Sequence, residues 1–174
     1  MKNNTSPYVK KITYIALFVA IISILAQISI PVSLVPITLQ VFAISLCGFI
    51  LDKKSALITV FVYLCLGAFG APVFASFNGG FHMLLSYTGG FLWGFIPFIF
   101  LCSIKKSKKA IILGALGLLI CHLLGVIQYS LASKTTIWLS FVVASLPHLV
   151  KDMILVILAY FVAERINKII KKHL

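Results

Sequence analysis

The stretch Pro147–Ala163, PHLVKDMILVILAYFVA, sets Lys151 beside Asp152 in a run otherwise apolar enough for a lipid bilayer. Soluble domains carry about 45–50% apolar and about 25% charged residues. This chain of 174 residues is 61% hydrophobic and 10% charged, which moves it into the integral-membrane class. Ionisable residues inside a span are costly and usually functional. The meaning of the pair depends on where the spans lie and which way they run.

A helix needs about 17–25 apolar residues to cross the hydrocarbon core. Six runs qualify, roughly 12–30, 35–51, 55–77, 83–104, 110–132 and 147–167. The expected fold is therefore one all-α membrane domain, 1–174, with six transmembrane helices. Gly67, Gly70 and Pro72 predict that the third run loses its helix before its end. Proline suits the first turn of a helix, so Pro147 is read as opening the last span. That leaves 136–146 as a short helix or loop at the surface. The first run lacks an A-x-A site and reads as a retained span.

The net charge is +12, from 15 Lys and Arg against 3 Asp and Glu. Thirteen of the basic residues flank the same ends of the spans: Lys2, Lys10 and Lys11; Lys53 and Lys54; Lys105, Lys106, Lys108 and Lys109; Arg165, Lys168, Lys171 and Lys172. Lys134 alone marks the other side. The positive-inside rule then predicts both termini in the cytoplasm. Basic clusters between apolar runs are a topology signal, so nucleic acid is not an expected partner.

With that orientation, the polar residues inside the spans gather in the outer half. Gln27, Thr38, Gln40, Tyr87, Thr88, Gln128 and Tyr129 lie near outer ends. Lys151 and Asp152 lie in the second turn below Pro147, about 6–8 Å down at about 1.5 Å per residue. One such residue is ordinary helix–helix glue; a shared depth across several segments predicts a pocket open to the outside. Asn78-Gly79-Gly80 reads as a binding loop, because glycine lets a ligand approach the backbone. Gly90 and Gly94, four apart, read as helix packing. Adjacent helical residues point about 100° apart, so mutual neutralisation of Lys151 and Asp152 is the less favoured reading. A ligand with an anion at one end and N–H donors at the other would suit two separate contacts. The connection 30–37, with Pro31 and Pro36, is the expected lid.

Cys47, Cys65, Cys102 and Cys121 sit in apolar runs without metal spacing and read as packing. His82, His122 and His148 share no metal-ligand spacing and read as satisfied or interfacial. No metal or cofactor is expected. There is no P-loop, no H-E-x-x-H and no G-x-S-x-G. Asp52 and Glu164 lie at the inner face, so no carboxylate dyad is available. Six spans, a one-sided pocket and no energy site suggest a solute-capturing subunit that needs a partner.

The motifs VPITLQ (35–40), YLCLGAFGAPVFASFNGG (63–80), TGGFLWGF (88–95) and PHLVKD (147–152) resemble the substrate-binding (S) component of biotin transporters of the energy-coupling factor (ECF) class. Ser86-Tyr87 departs from the Gly-Pro common in the family, and the end of the fifth span and 133–146 match loosely. The resemblance implies a six-helix S-component bundle in a prokaryotic cell membrane that binds biotin from outside. It implies a transmembrane coupling subunit and two cytoplasmic ATPase subunits as partners, with no catalysis by the chain itself. It places docking to the coupling subunit on Ala16 and Ala20 of the first helix. Biotin contacts are then expected from Gln40, Asn78, Gly79, Gly80, Tyr87, Lys151 and Asp152. The alternatives are an S component for another vitamin, a small membrane enzyme using Lys151 and Asp152, and a scaffold subunit that binds no small molecule.

Overall fold

The structure, a computed structural model, describes residues 6–30, 35–104 and 107–172, with the side chains of 170–172 left aside. Pro31, Lys2, Lys105 and Lys106 lie outside the described residues. The order of elements is α1 (Pro7–Gln27), β1 (Ser29–Ile30), β2 (Ile37–Thr38), α2 (Gln40–Ile50), α3 (Lys53–Ala68), a 3-10 turn (Ala75–Phe77), α4 (His82–Leu85), α5 (Gly89–Ile104), α6 (Lys109–Ser133), α7 (Ile137–Ser140), a π turn (Phe141–Ser145) and α8 (Leu146–Lys172).

Start signals explain several of these elements. Ser6 caps α1, with its hydroxyl accepting from the Tyr8 N–H and Pro7 at the first position. Asp52 caps α3 through the Ser55 N–H and hydroxyl and pairs with Lys11 at 3.8 Å. Burial pushes the Asp52 carboxyl up, but the Ser55 bonds and the Lys11 ammonium more than offset this and hold it below the usual carboxylate range. α3 ends at Ala68, and Gly70 follows at φ +99°, a conformation open to glycine. The expected early end of the third run is thus observed.

Two boundaries differ from the sequence reading. Among the described residues, only Pro7–Gln27, Lys109–Ser133 and Ile137–Ile169 are helical stretches long and apolar enough to cross a membrane. Gln40–Ile50 and Gly89–Ile104 are apolar but shorter. The outer parts of the second, third and fourth runs are instead strand, loop and short turns. Irregular backbone at membrane depth survives where it is buried in protein or lines a cavity, and these segments do line one.

The second difference concerns 136–146, expected as a separate surface segment. It is helical and continues into α8 without a break. Proline inside a helix clashes with the carbonyl four residues back, here Val143. The helix widens there: the Leu146 N–H donates to Phe141 O, five residues back. A π turn of this kind absorbs the proline and keeps the helix running. Pro147 marks a widening rather than a start.

The main apolar cluster draws on α1, α2, α3, α5, α6 and α8, and a smaller one joins Val35, Tyr129 and Ala144. α5 and α6 form the most extensive helix pair. Glycine makes their approach close: a Cβ on Gly94 would lie 2.7 Å from the Cys121 Cα, and one on Gly117 3.0 Å from the Phe98 Cα. Gly90 and Gly94 therefore pack helices, as their spacing predicted.

Candidate functional site

A cavity of about 370 Å³ opens at the ends of the helices opposite the lysine-rich flanks. This is within the usual range of ligand pockets, about 300–1,000 Å³. Each wall has a local cause. Ser29 pairs with Thr38 and Ile30 with Ile37 in a two-stranded antiparallel ladder, which brings the chain back to begin α2. Thr38 and Gln40 face the cavity from there. Gln40 is buried; its Nε2 donates to the Tyr63 hydroxyl at 2.6 Å, and that hydroxyl donates to Val73 O at 3.1 Å. The wall at Gln40 is thus tied to α3 and to the segment following it.

α8 supplies the charged floor. The Lys151 Nζ lies 2.6 Å from Asp152 Oδ1 and donates to Thr38 O at 2.8 Å. Asp152 Oδ2 lies 3.4 Å from His122 Nε2 on α6, and His122 Nδ1 is 2.8 Å from Ser145 Oγ in the π turn. The π turn therefore also aims a hydroxyl at the site. Asp152 is 4% exposed, so its carboxylate is shielded from water and relies on protein partners. Mutual neutralisation, the less favoured reading, is what the structure shows. The 100° rule places Cβ atoms; it does not limit a lysine whose four methylenes can bend its ammonium back to the next residue. The Lys151 side chain is 28% exposed and that of Asp152 6%, so desolvation falls mainly on the carboxylate that the ammonium neutralises.

His148, expected as satisfied or interfacial, is neither at its Nε2. It is 4% exposed, lines the cavity, and its Nε2 has no hydrogen-bond partner. It stands three residues before Lys151 and four before Asp152, so all three share one helix face. That spacing was a usable signal, missed because histidines were sorted only by metal spacing. His122 also lines the cavity, whereas His82 is exposed in α4.

The structure brings Gln40, Asn78, Tyr87, Lys151 and Asp152 to one cavity wall, with Pro36 at its edge. Tyr87 stands beside Tyr129, with ring centroids 5.8 Å apart. Gly79 and Gly80 are not brought to it. The Gly80 N–H donates to Gly67 O at 2.6 Å with φ at +103°, and Gly79 packs against the Ala71 carbonyl. Both glycines shape the loop that presents Asn78. Gln128 donates to Leu84 O at 2.8 Å and Ser86 O at 2.9 Å, and so fixes the segment carrying Tyr87. Ala16 and Ala20 are exposed on α1, away from the cavity. Phe74, Phe91, Leu92 and Phe95 give the cavity an apolar side.

A helical membrane bundle with a polar-floored cavity at one end is the architecture of a solute-binding transport subunit. It matches the crystal structure at 2.1 Å of the S-component for biotin from an ECF-type ABC transporter, with a TM-score of 0.87 at 30% identity. The match covers 97% of this chain and 95% of that one. The chain belongs to the BioY family, whose model matches residues 1–172. It is 38% identical over 161 residues to the biotin transporter BioY of Thermotoga maritima, covering 88% of this chain and 93% of that protein. It is 36% identical over 158 residues to the probable biotin transporter BioY of Pyrococcus horikoshii, covering 91% and 96%.

Proposed function

We propose that this chain captures biotin on the outer side of a prokaryotic cell membrane and takes it up as the substrate-binding subunit of an ATP-driven ECF transporter. The observation that carries the reading is the Lys151–Asp152 pair on the cavity floor, beside the unpartnered His148 Nε2. The pair is net neutral and offers a donor and an acceptor side by side. A neutral cyclic urea needs both: its N–H groups fit the Asp152 carboxylate, and its carbonyl fits the remaining Lys151 N–H. A carboxylate set against Asp152 would be repelled, so the valerate end points to the mouth, near Asn78 and water. The bicycle and alkyl chain lie along Phe74, Phe91 and Phe95. His148 Nε2 provides one further polar contact at the ureido end. Gln40, Tyr87 and Thr38 complete the wall; the core of the expected 30–37 lid, residues 31–34, lies outside the described residues.

Purified protein should bind biotin with a stoichiometry near one in calorimetry and release it chemically unchanged. Binding of a different vitamin instead, or turnover of the ligand, would overturn the reading.

The chain has no ATP site of its own in sequence, so two ATPase subunits and a transmembrane coupling subunit complete the transporter. The exposed Ala16 and Ala20 form a small-residue step on which a partner helix can approach closely. Six spans with both termini in the cytoplasm follow from the basic flanks. That topology predicts labelling of Lys134→Cys by a membrane-impermeant maleimide in intact cells. Lys53→Cys should react only after permeabilisation. The opposite pattern would invert the topology and turn the cavity inward.

A further inference from the structure

Gln27 is the last residue of α1, yet its side chain holds another part of the chain. Its Nε2 lies 3.2 Å from Phe74 O and 3.4 Å from Pro72 O, as well as 2.9 Å from Ser23 O in its own helix. Its Oε1 accepts from the Phe77 N–H at 2.7 Å. Two residues on, Ser29 Oγ meets Ser76 Oγ at 3.1 Å. The segment gripped in this way, 74–78, is a cavity wall: Phe74, Ser76 and Asn78 all line the site.

That segment needs a grip. Ser76 has φ 59° and ψ 38°, and Phe77 has φ 57°. Two consecutive non-glycine residues in the left-handed region are disfavoured by sterics. Such backbone persists only where its surroundings over-determine it. The Phe77 side chain is 70% exposed, so packing of that ring does not select the conformation. Inside the turn, the Phe74 N–H donates to Asn78 O at 3.0 Å and Asn78 Nδ2 to Ala75 O at 2.8 Å; from outside it, the carboxamide of Gln27 accepts the N–H of Phe77 and donates to the carbonyl of Phe74.

We propose that Gln27 is a positioning residue for the ligand site. It touches no ligand; it clamps 74–78 in the strained conformation that sets Ser76 and Asn78 at the cavity. The effect on binding rests on the biotin reading above, while the clamp itself does not.

The test uses the purified full-length chain and the variants Gln27→Ala, Gln27→Glu, Phe77→Gly and Gln27→Ala/Phe77→Gly. Hydrogen–deuterium exchange of the biotin-free protein should speed up at least tenfold across 74–78 in Gln27→Ala. Biotin should bind that variant about tenfold more weakly, through faster release. Gln27→Glu keeps the acceptor for Phe77 but sets a carboxylate oxygen against the carbonyls of Ser23, Pro72 and Phe74, so its loss should equal or exceed that of Gln27→Ala. Glycine adopts positive φ at little cost. Phe77→Gly should therefore restore at least threefold of the affinity lost in Gln27→Ala, while alone it stays within twofold of wild type. A role for Gln27 in helix packing alone would show no such rescue. Unchanged exchange at 74–78 in Gln27→Ala overturns the clamp, as does a loss of affinity that Phe77→Gly leaves untouched. Faster exchange at 74–78 in a protein that binds no biotin would sustain the clamp and refute the ligand.

Discussion

Asp152→Asn is expected to weaken biotin binding by roughly 10- to 100-fold. The carboxylate offers a charge-assisted hydrogen bond, and such bonds contribute about 1.5–3 kcal/mol; each 1.4 kcal/mol is a factor of about ten. Asparagine keeps the shape and loses the charge. It also gives the Lys151 ammonium a neutral amide oxygen in place of a carboxylate, beside Thr38 O, and it weakens the contact to His122. Removing one member of a buried ion pair costs about 3–5 kcal/mol when nothing replaces it. Asp152→Ala should therefore also destabilise the biotin-free protein, more than Asp152→Asn does. Lys151→Ala should lose at least tenfold in binding, because the urea carbonyl loses its donor. Calorimetry with each purified variant, alongside melting of the biotin-free forms, separates the two effects. Wild-type affinity in Asp152→Asn would remove the pair from the site.

Gly90→Val carries the largest expected cost in stability. A Cβ on Gly90 would run into the Leu124 carbonyl and stand 2.9 Å from the Gly125 Cα. Backbone of a facing helix cannot swing aside as a flexible side chain can. Overpacking costs about 1–3 kcal/mol and sometimes more, and valine puts branched bulk where the backbone of one helix already meets that of another. At about 2–4 °C per kcal/mol for a chain of this size, a 3 kcal/mol loss is a drop of roughly 6–12 °C in melting temperature. α6 carries His122 and α5 carries Phe91, so parting the two helices also opens the cavity floor. Biotin binding should fall with stability. A Gly90→Val protein that melts like wild type would show that α5 and α6 have room to separate.

Much of the fold was legible because the bilayer constrains composition. Long apolar runs, and glycine and proline near 67–72, each have one strong physical reading. The outer halves of the second and fourth runs were less legible. They are as apolar as spanning helices, and only the cavity they enclose explains why the chain leaves the helix there. The same holds for Pro147. Its local rule favours a helix start, but a π turn at 141–145 satisfies the rule by another route and puts Ser145 against His122.

The polar residues divide along the same line. Sequence alone determined that the chain belongs in a membrane, that its polar groups share a depth, and that Gln40, Asn78, Tyr87, Lys151 and Asp152 were worth watching. Those conclusions rest on composition and on distance along a helix, both of which a single strand of letters carries. Only the tertiary structure decided what each group touches. It paired Lys151 with Asp152, gave Gln27 and Gln128 to neighbouring carbonyls, withdrew Gly79 and Gly80 from the cavity wall, and left His148 Nε2 buried beside the cavity without a hydrogen-bond partner. Partnership depends on side-chain reach and on which helices meet, and neither is a property of any one segment.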